Sequence, residues 1–376
     1  MKFADIPGHK EVKETLRKIA DSGRIPHALL LGGPSGIGKF ALARAFAQYI
    51  NCRDRRDGDS CGSCPSCIRH QAFTDIDTHF VFPVVKREKD TRAPVSDDFI
   101  DSWKEYLEGR VHMDFNEWTR QLDKKNAQPV TYVTESEDLM HKLSFASRVS
   151  KYKIVLWWLP EKMNVEAANK LLKLIEEPYE DTIFIMVSDN PKQIIETIYS
   201  RLQRINVRPL SDKLIAEELE SRYALDNTDA MMIAHNATGS MSDAIRALDN
   251  RNTDTQYLEL FISLMRLAYQ RKVADLREWA NDLASLGRES EAGFYDFATR
   301  LIRENFIFNF GESRLSYLNN KERDFSRNFA RFITVNNVEK LIEVFDKAKT
   351  DILGNGNGKI VNFDVAIRVI LLLKRQ

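Results

Sequence analysis

The stretch Gly33-Pro34-Ser35-Gly36-Ile37-Gly38-Lys39-Phe40 decides the fold of this 376-residue chain. A short apolar run at residues 28–31 precedes it, and a helical pattern over residues 41–50 follows it. A strand, a glycine-rich loop and a helix in this order predict a phosphate-binding P-loop in an α/β domain, because glycines let backbone N–H groups face phosphate oxygens. The candidate phosphate-binding residues are Gly33, Gly36, Gly38 and Lys39.

Two positions that hold Mg²⁺ in hydrolysing P-loop ATPases are altered. The loop lysine is normally followed by Ser or Thr, whose hydroxyl ligates the metal, but here it is followed by Phe40. A second buried strand, predicted over residues 153–159, should end in acidic residues, but it ends in Trp158 and Leu159. The pattern predicts a loop that holds ATP or ADP without hydrolysis, or that persists only as a stable turn. An active ATPase that recruits the nearby acid Glu161 is the alternative.

All four cysteines lie close together, in a C-x8-C-x2-C-x2-C cluster directly after the P-loop helix. Such spacing, in a chain with no other cysteine to pair with, is typical of one tetrahedral zinc site. Four thiolates leave no ligand position for water, so the predicted Zn²⁺ is structural. Free or partly paired thiols are the alternative. The predicted ligands are Cys52, Cys61, Cys64 and Cys67.

Charge and hydropathy exclude several classes of protein. The chain has 55 Lys and Arg against 55 Asp and Glu, so its net charge is zero and no global attraction to DNA is expected. No apolar run reaches the length of a membrane span, and the first residues show no signal-peptide pattern. We therefore expect a cytoplasmic protein that does not contact a membrane.

Residues 85–128 interrupt the α/β pattern with two amphipathic helical segments. The first carries Trp103 and Tyr106 on its apolar face, and the second carries Trp118. We expect a helical insertion that packs on the α/β core, with a partner-binding surface as the alternative. Only helical patterns follow the last predicted strand, and a polar stretch at 250–255 separates a small bundle from longer helices.

The order of these features resembles the bacterial clamp-loader family of AAA+ proteins. The resemblance rests on SGRIPHA at residues 22–28, on the cysteine cluster, on AANKLLKLIEEP at residues 167–178 and on Ser200-Arg201. It covers about residues 3–210 and leaves the insertion out. It implies a P-loop AAA+ module with a zinc finger, followed by an all-α lid and an all-α collar domain. The implied boundaries are 1–208 for the AAA+ domain, with a zinc module at 51–70, then 209–250 for the lid and 255–376 for the collar.

The altered positions resemble the delta-prime branch of this family. In the family's ATPases the third lid helix begins Gly-x-x-Arg. Here the corresponding segment begins at Gly239, and Ser242 stands at the arginine position. The resemblance implies a stator of the DNA polymerase III clamp loader, which supports ATP-dependent loading of the sliding clamp during replication. The implied partners are the ATPase subunits and delta in a heteropentameric ring, the sliding clamp, and primer–template DNA through the assembled complex.

Arg201 is the residue to which the resemblance assigns a catalytic role. The family's Ser-Arg-Cys motif places an arginine at the ATP of the neighbouring subunit, and here Ser200-Arg201 is kept while Leu202 replaces the cysteine. The implied role of Arg201 is that of an arginine finger in trans. A surface ion pair is the alternative for this residue. Two other functions stay open for the chain: an active clamp-loader ATPase subunit, and a P-loop nucleotide sensor outside replication.

Overall fold

The computed structural model describes residues 1–87, 90–122, 128–249, 251–310 and 318–373. The chain forms two compact units. The first contains Met1–Tyr223 and Ala237–Ala244, and the second contains Ala224–Asn236 and Ile245–Gln376. The three domain boundaries expected from the sequence stay a prediction.

The first unit is built on a parallel sheet of five strands in the order β2-β3-β4-β1-β5, within the part of the chain that the structure describes. The strands are β1 (Ala28–Gly32), β2 (Thr78–Val81), β3 (Lys153–Trp158), β4 (Thr182–Ser188) and β5 (Gln203–Asn206). Strands β1, β3 and β4 are buried along their whole length, as their continuous apolar sequences predict. Because all the strands are parallel, the loops after β1, β3 and β4 share one edge of the sheet.

The first unit contains helices both before and after the P-loop in the sequence. The helices of the first unit are α1 (Lys10–Asp21), α2 (Lys39–Asn51), α3 (Pro65–Gln71), α4 (Ile100–Leu107), α5 (Phe115–Gln121), α6 (Val133–Ser144), α7 (Val165–Glu176), α8 (Glu196–Tyr199) and α9 (Asp212–Tyr223). Every residue of α2 is buried, so the P-loop helix is enclosed by its neighbours. Helices α6 and α7 pack on one face of the sheet, where Leu139, Leu171 and Ile175 join Val155 and Phe184 in one apolar core.

The second unit is helical. Its helices are α10 (Asn227–Asn236), α12 (Arg251–Gln270), α13 (Val273–Ser285), α14 (Arg288–Phe308), α15 (Asn320–Phe329), α16 (Val338–Leu353) and α17 (Gly358–Leu373), while α11 (Met241–Asp249) begins in the first unit. The core of this unit contains Phe261, Phe294, Tyr295 and Phe345. No helix among the described residues is both long and apolar enough to cross a bilayer.

The structure corrects two sequence predictions of local structure and confirms a third. The long helix expected after the polar stretch at 250–255 begins earlier, because α12 already starts at Arg251 and includes residues 251–255. The strand predicted over 153–159 stops at Trp158, since Leu159 adopts a left-handed backbone conformation with φ 57°. The two helices expected in the insertion are present as α4 and α5.

Candidate functional site

The first residues of α11, together with Ser240 just before it, pack against the P-loop. Gly36 has φ +74°, and a Cβ added there would lie 2.0 Å from Ser242 Oγ and 2.2 Å from Ser240 Oγ. The carbonyl oxygen of Gly36 accepts a hydrogen bond from the backbone N–H of Met241 at 3.0 Å. Only glycine fits this position, because any side chain would collide with the two serine hydroxyls. The loop therefore serves as a docking point for residues of the same chain.

The P-loop lysine is paired within the protein. Lys39 is only 4% exposed, and its Nζ donates to Asp189 Oδ1 at 2.8 Å and to the carbonyl oxygen of Pro34. Asp189 directly follows β4, which lies beside β1 in the sheet. Burial lowers the pKa of the Lys39 ammonium group, and the charge of Asp189 opposes that shift. The Lys39 ammonium group, which would bind a phosphate in a P-loop, therefore already has a carboxylate partner.

Two histidines lie against the P-loop backbone. His112 comes from the insertion and is buried, and a Cβ on Gly38 would be 3.5 Å from its ring. Burial lowers the pKa of His112 to about 4, so the ring is neutral at physiological pH. His9 Nε2 lies 2.6 Å from the carbonyl oxygen of Ile37. The loop is therefore contacted by side chains from the N-terminal segment and from the insertion.

Phe40 and Trp158, which the sequence predicts to stand at two magnesium positions, lie in one aromatic cluster. Phe40 and Trp158 are each 2% exposed, and both rings pack against Trp103 of α4, at centroid distances of 5.6 Å and 5.3 Å. Trp103 also stacks on Phe82 at 4.0 Å. The aromatic cluster consists of Phe40, Phe82, Trp103, Tyr106, Trp118 and Trp158. These residues do not fit a Mg²⁺ site, because the two positions offer carbon surface where oxygen ligands would be needed.

Glu161, the acid nearest to the end of β3, is used to hold the backbone. Its Oε1 accepts hydrogen bonds from the N–H groups of Asp189 and Asn190, at 2.8 Å and 3.0 Å. Burial raises the pKa of this carboxyl group. Glu161 therefore fixes the turn that presents Asp189 to the P-loop lysine.

Arg201 lies at the surface of the first unit, just after α8. Its side chain is 39% exposed and pairs with Glu176 at the end of α7. Its Nη1 donates to the carbonyl oxygen of Thr197 at 2.6 Å. The neighbouring Leu202 is buried in the apolar core, which anchors the backbone beside the arginine. The guanidinium group is thus held at an accessible place by contacts that are weak in water.

The four cysteine sulfurs converge at the end of the P-loop helix. Cys52 caps α2, Cys64 precedes α3 and Cys67 lies within α3. All four sulfurs lie within 4.8 Å of one another, and Cys61 Sγ is 3.7 Å from Cys52 Sγ and 3.9 Å from Cys67 Sγ. A tetrahedron with Zn–S bonds of about 2.3 Å has sulfur–sulfur edges of about 3.8 Å. The donor set and its spacing therefore fit Zn²⁺.

Zinc removal should loosen this module. We expect one Zn²⁺ per chain by elemental analysis, and we expect Cys64→Ser to lower that content to well under half, because three thiolates bind the ion less tightly than four. Hydrogen–deuterium exchange should then rise over residues 52–71 while the strands keep their protection. Ile68→Ala, which truncates an exposed side chain of α3, is the matched control and should retain the metal. Wild-type protein without zinc, prepared in the absence of chelator, would contradict the assignment.

A family model described as DNA polymerase III, delta subunit, matches residues 8–211, which is more than half of the chain. The chain belongs to the bacterial clamp-loader AAA+ family. This result confirms the resemblance drawn from the P-loop, the cysteine cluster and the Ser-Arg pair, and the parallel sheet with its P-loop after β1 is the AAA+ fold.

Clamp-loader subunits of two types are among the similar proteins. The tau subunit of DNA polymerase III from Bacillus subtilis (strain 168) is 24% identical over 310 residues, which cover 77% of this chain and 47% of that relative. The delta' subunit from Haemophilus influenzae is 27% identical over 226 residues, which cover 60% of this chain and 55% of that relative. The chain thus spans about half the length of these two relatives. Among solved structures, a gamma-subunit-related protein of Thermotoga maritima covers 96% of this chain and is itself covered to 99%, with 11% identity and a TM-score of 0.40.

Sequence reasoning missed two residues of this clamp-loader site. Asp189 could have been found, because it directly follows a buried strand whose end shares a sheet edge with the P-loop. His112 carried no such signal, since it lies outside both helical patterns of the insertion and reaches Gly38 only through the tertiary fold.

Proposed function

We propose that this chain is a delta-prime-type subunit of the bacterial DNA polymerase III clamp loader. It acts in the cytoplasm as a stator in a ring with ATPase subunits and delta, and it supports ATP-dependent loading of the sliding clamp onto primed DNA. The observation that carries this proposal is the aromatic cluster, because Phe40 and Trp158 pack on Trp103 where a hydrolysing subunit would need metal ligands.

The contacts of the P-loop support a structural use of that loop. A nucleotide phosphate would have to displace Asp189 from Lys39, and Ser240 and Ser242 from Gly36. We expect no saturable binding of ATP or ADP to the isolated chain up to about 1 mM, a concentration that corresponds to only about 4 kcal/mol of binding free energy. The loop then ties the start of α11 to the sheet without taking part in ATP binding.

The proposal gives the catalytic contribution of the chain to Arg201. The exposed guanidinium group would leave Glu176 and reach the γ-phosphate held by a neighbouring ATPase subunit, where it would stabilise the charge of the transferring phosphoryl group. The zinc module would hold the end of α2 in place and take no part in the reaction. Contact with primer–template DNA would come from the assembled ring, through the phosphate backbone.

Steady-state ATP hydrolysis by the purified chain tests the proposal directly. We expect no turnover above that of Lys39→Ala, because the chain offers no hydroxyl at position 40 and no carboxylate at position 158. Turnover that is lost in Lys39→Ala would identify an active ATPase subunit and overturn the stator role.

An assembly experiment distinguishes a clamp-loader stator from a P-loop nucleotide sensor that acts outside replication. Mixed with the clamp-loader ATPase subunits and delta of its own organism, the chain should form a stable complex, which mass photometry can weigh. A chain that stays free in this mixture would contradict the proposed place in the ring.

A further inference from the structure

Arg44 of α2 is a buried cation without a carboxylate partner among the described residues. The residue is 9% exposed. Its Nη1 donates to the carbonyl oxygen of Leu107 at 3.3 Å, and its guanidinium group lies over the ring of Phe73 at 4.5 Å. None of the ion pairs in the described part of the chain includes it. Burial lowers the pKa of the Arg44 guanidinium group to about 10. A guanidinium group has five N–H donors, and the structure gives Arg44 one protein acceptor among the described residues.

The surroundings of Arg44 carry a local excess of positive charge. On its inner side a cavity of about 10 Å³ is lined by Arg69, His70 and Asp75. Asp75 is already shared, because it accepts from Arg69 Nε at 3.2 Å and from Ser150 Oγ at 2.8 Å. Arg69 Nη2 and His70 Nε2 have no hydrogen-bond partner within the described ranges. The single carboxylate at this place therefore cannot neutralise Arg44 as well as Arg69.

On its outer side Arg44 forms part of the wall of an open cleft of about 690 Å³. The cleft lies between the residues after α3, which include Phe73, and the segment that runs from Lys104 to Val111. Lys104 is half-buried, whereas the acids Asp5, Glu105 and Glu108 lie exposed around the opening. Arg222 also lines the cleft, so three cationic side chains face the three exposed acids. Water screens the exposed charges more strongly than it screens the buried charge of Arg44.

We propose that Arg44 and Lys104 form a binding site for a phosphate-bearing small molecule, separate from the P-loop. A phosphate group is the anion that fits best, because the planar guanidinium fork can donate two parallel hydrogen bonds to it and the lysine supplies a second positive charge. The aromatic face of Phe73 and the side chain of Val111 give the cleft apolar surface for the rest of the ligand. Bound phosphate supplies the counter-charge that the fold itself does not provide for Arg44.

Inorganic pyrophosphate is the probe for this site, with the full chain in dilute buffer of constant ionic strength. We expect saturable binding by calorimetry, together with slower hydrogen–deuterium exchange over residues 69–75 and 104–111. Lys104→Gln should weaken binding about tenfold, the effect of removing one charged hydrogen-bond donor. Lys170→Gln, which removes an exposed lysine paired with Glu137, is the matched control and should bind like wild type.

Three results of this experiment would contradict the proposed phosphate site. No binding, or protection confined to the P-loop residues 33–39, would overturn the proposal, and so would equal affinity of Lys104→Gln and wild type. Arg44→Gln should abolish binding if it folds. If that buried substitution prevents folding, Lys104→Gln still decides, because Lys104 lies nearer the surface and makes no ion pair among the described residues.

Discussion

Replacing Arg201 with alanine should silence ATP hydrolysis at one site of the assembled clamp loader while leaving the ring intact. An arginine finger supplied in trans contributes about 10³-fold or more to phosphoryl transfer, because it stabilises charge that develops only in the transition state. In the free chain the Arg201 side chain is 39% exposed and pairs with Glu176. An exposed pair of this kind contributes at most about 1 kcal/mol, so the guanidinium group can exchange its partner for a phosphate at little cost.

Single-turnover hydrolysis by the reconstituted complex is the measurement, with mass photometry to verify assembly. Arg204→Ala is the matched control, since Arg204 is another exposed arginine of the same region and its guanidinium group rests on Tyr199 at 4.9 Å. Glu176→Gln should preserve hydrolysis, because it frees the arginine without removing it. Full hydrolysis at every site of the Arg201→Ala complex would mean that Arg201 forms only a surface ion pair. The proposed stator role of the chain would not be contradicted by that result.

Much of the α/β unit could be predicted because its signals are local. The P-loop and the apolar runs of β1, β3 and β4 need only neighbouring residues to be recognised, and buried parallel strands have continuous apolar sequences. Strand β2 was missed, since its four residues THFV are only partly buried and lie at a sheet edge. Helix α6 was missed as well, because its residues VTESEDLMHKLS offer few apolar positions to mark a periodic face.

The sequence identifies residues of the candidate site, but it does not predict the contacts between them. The sequence predicts that Phe40 and Trp158 stand where metal ligands would be needed, and it shows that the insertion carries aromatic faces. It does not show that these two observations are one feature, because the packing of Trp103 on both residues joins segments more than fifty residues apart. The same holds for Asp189 and Lys39, whose pairing depends on β4 lying beside β1. Long-range contacts of this kind are set by tertiary packing, which no local pattern encodes.

Trp158→Asp should destabilise the first unit strongly and should not restore an ATPase. This substitution places a carboxylate at the position where hydrolysing subunits have one, but here the position is 2% exposed and faces the rings of Trp103 and Tyr106. An unpaired charge in such surroundings costs at least about 3 kcal/mol, in addition to the cavity left by the lost indole. Trp158→Phe is the matched control, and its smaller loss of volume should cost about 1–2 kcal/mol.

Urea unfolding followed by far-UV circular dichroism measures this difference, and its pH dependence identifies the cause. The buried carboxyl group that Trp158→Asp introduces would have its pKa raised in the folded state, so the folded protein would bind the proton more tightly than the unfolded chain. The deficit of Trp158→Asp against Trp158→Phe should therefore grow as the pH rises from about 5 to about 8. Equal stability of the two variants would mean that water reaches position 158 and that the magnesium position is open. In that case Phe40→Thr combined with Trp158→Asp should gain ATP hydrolysis, whereas a dry aromatic cluster predicts that the double variant gains none.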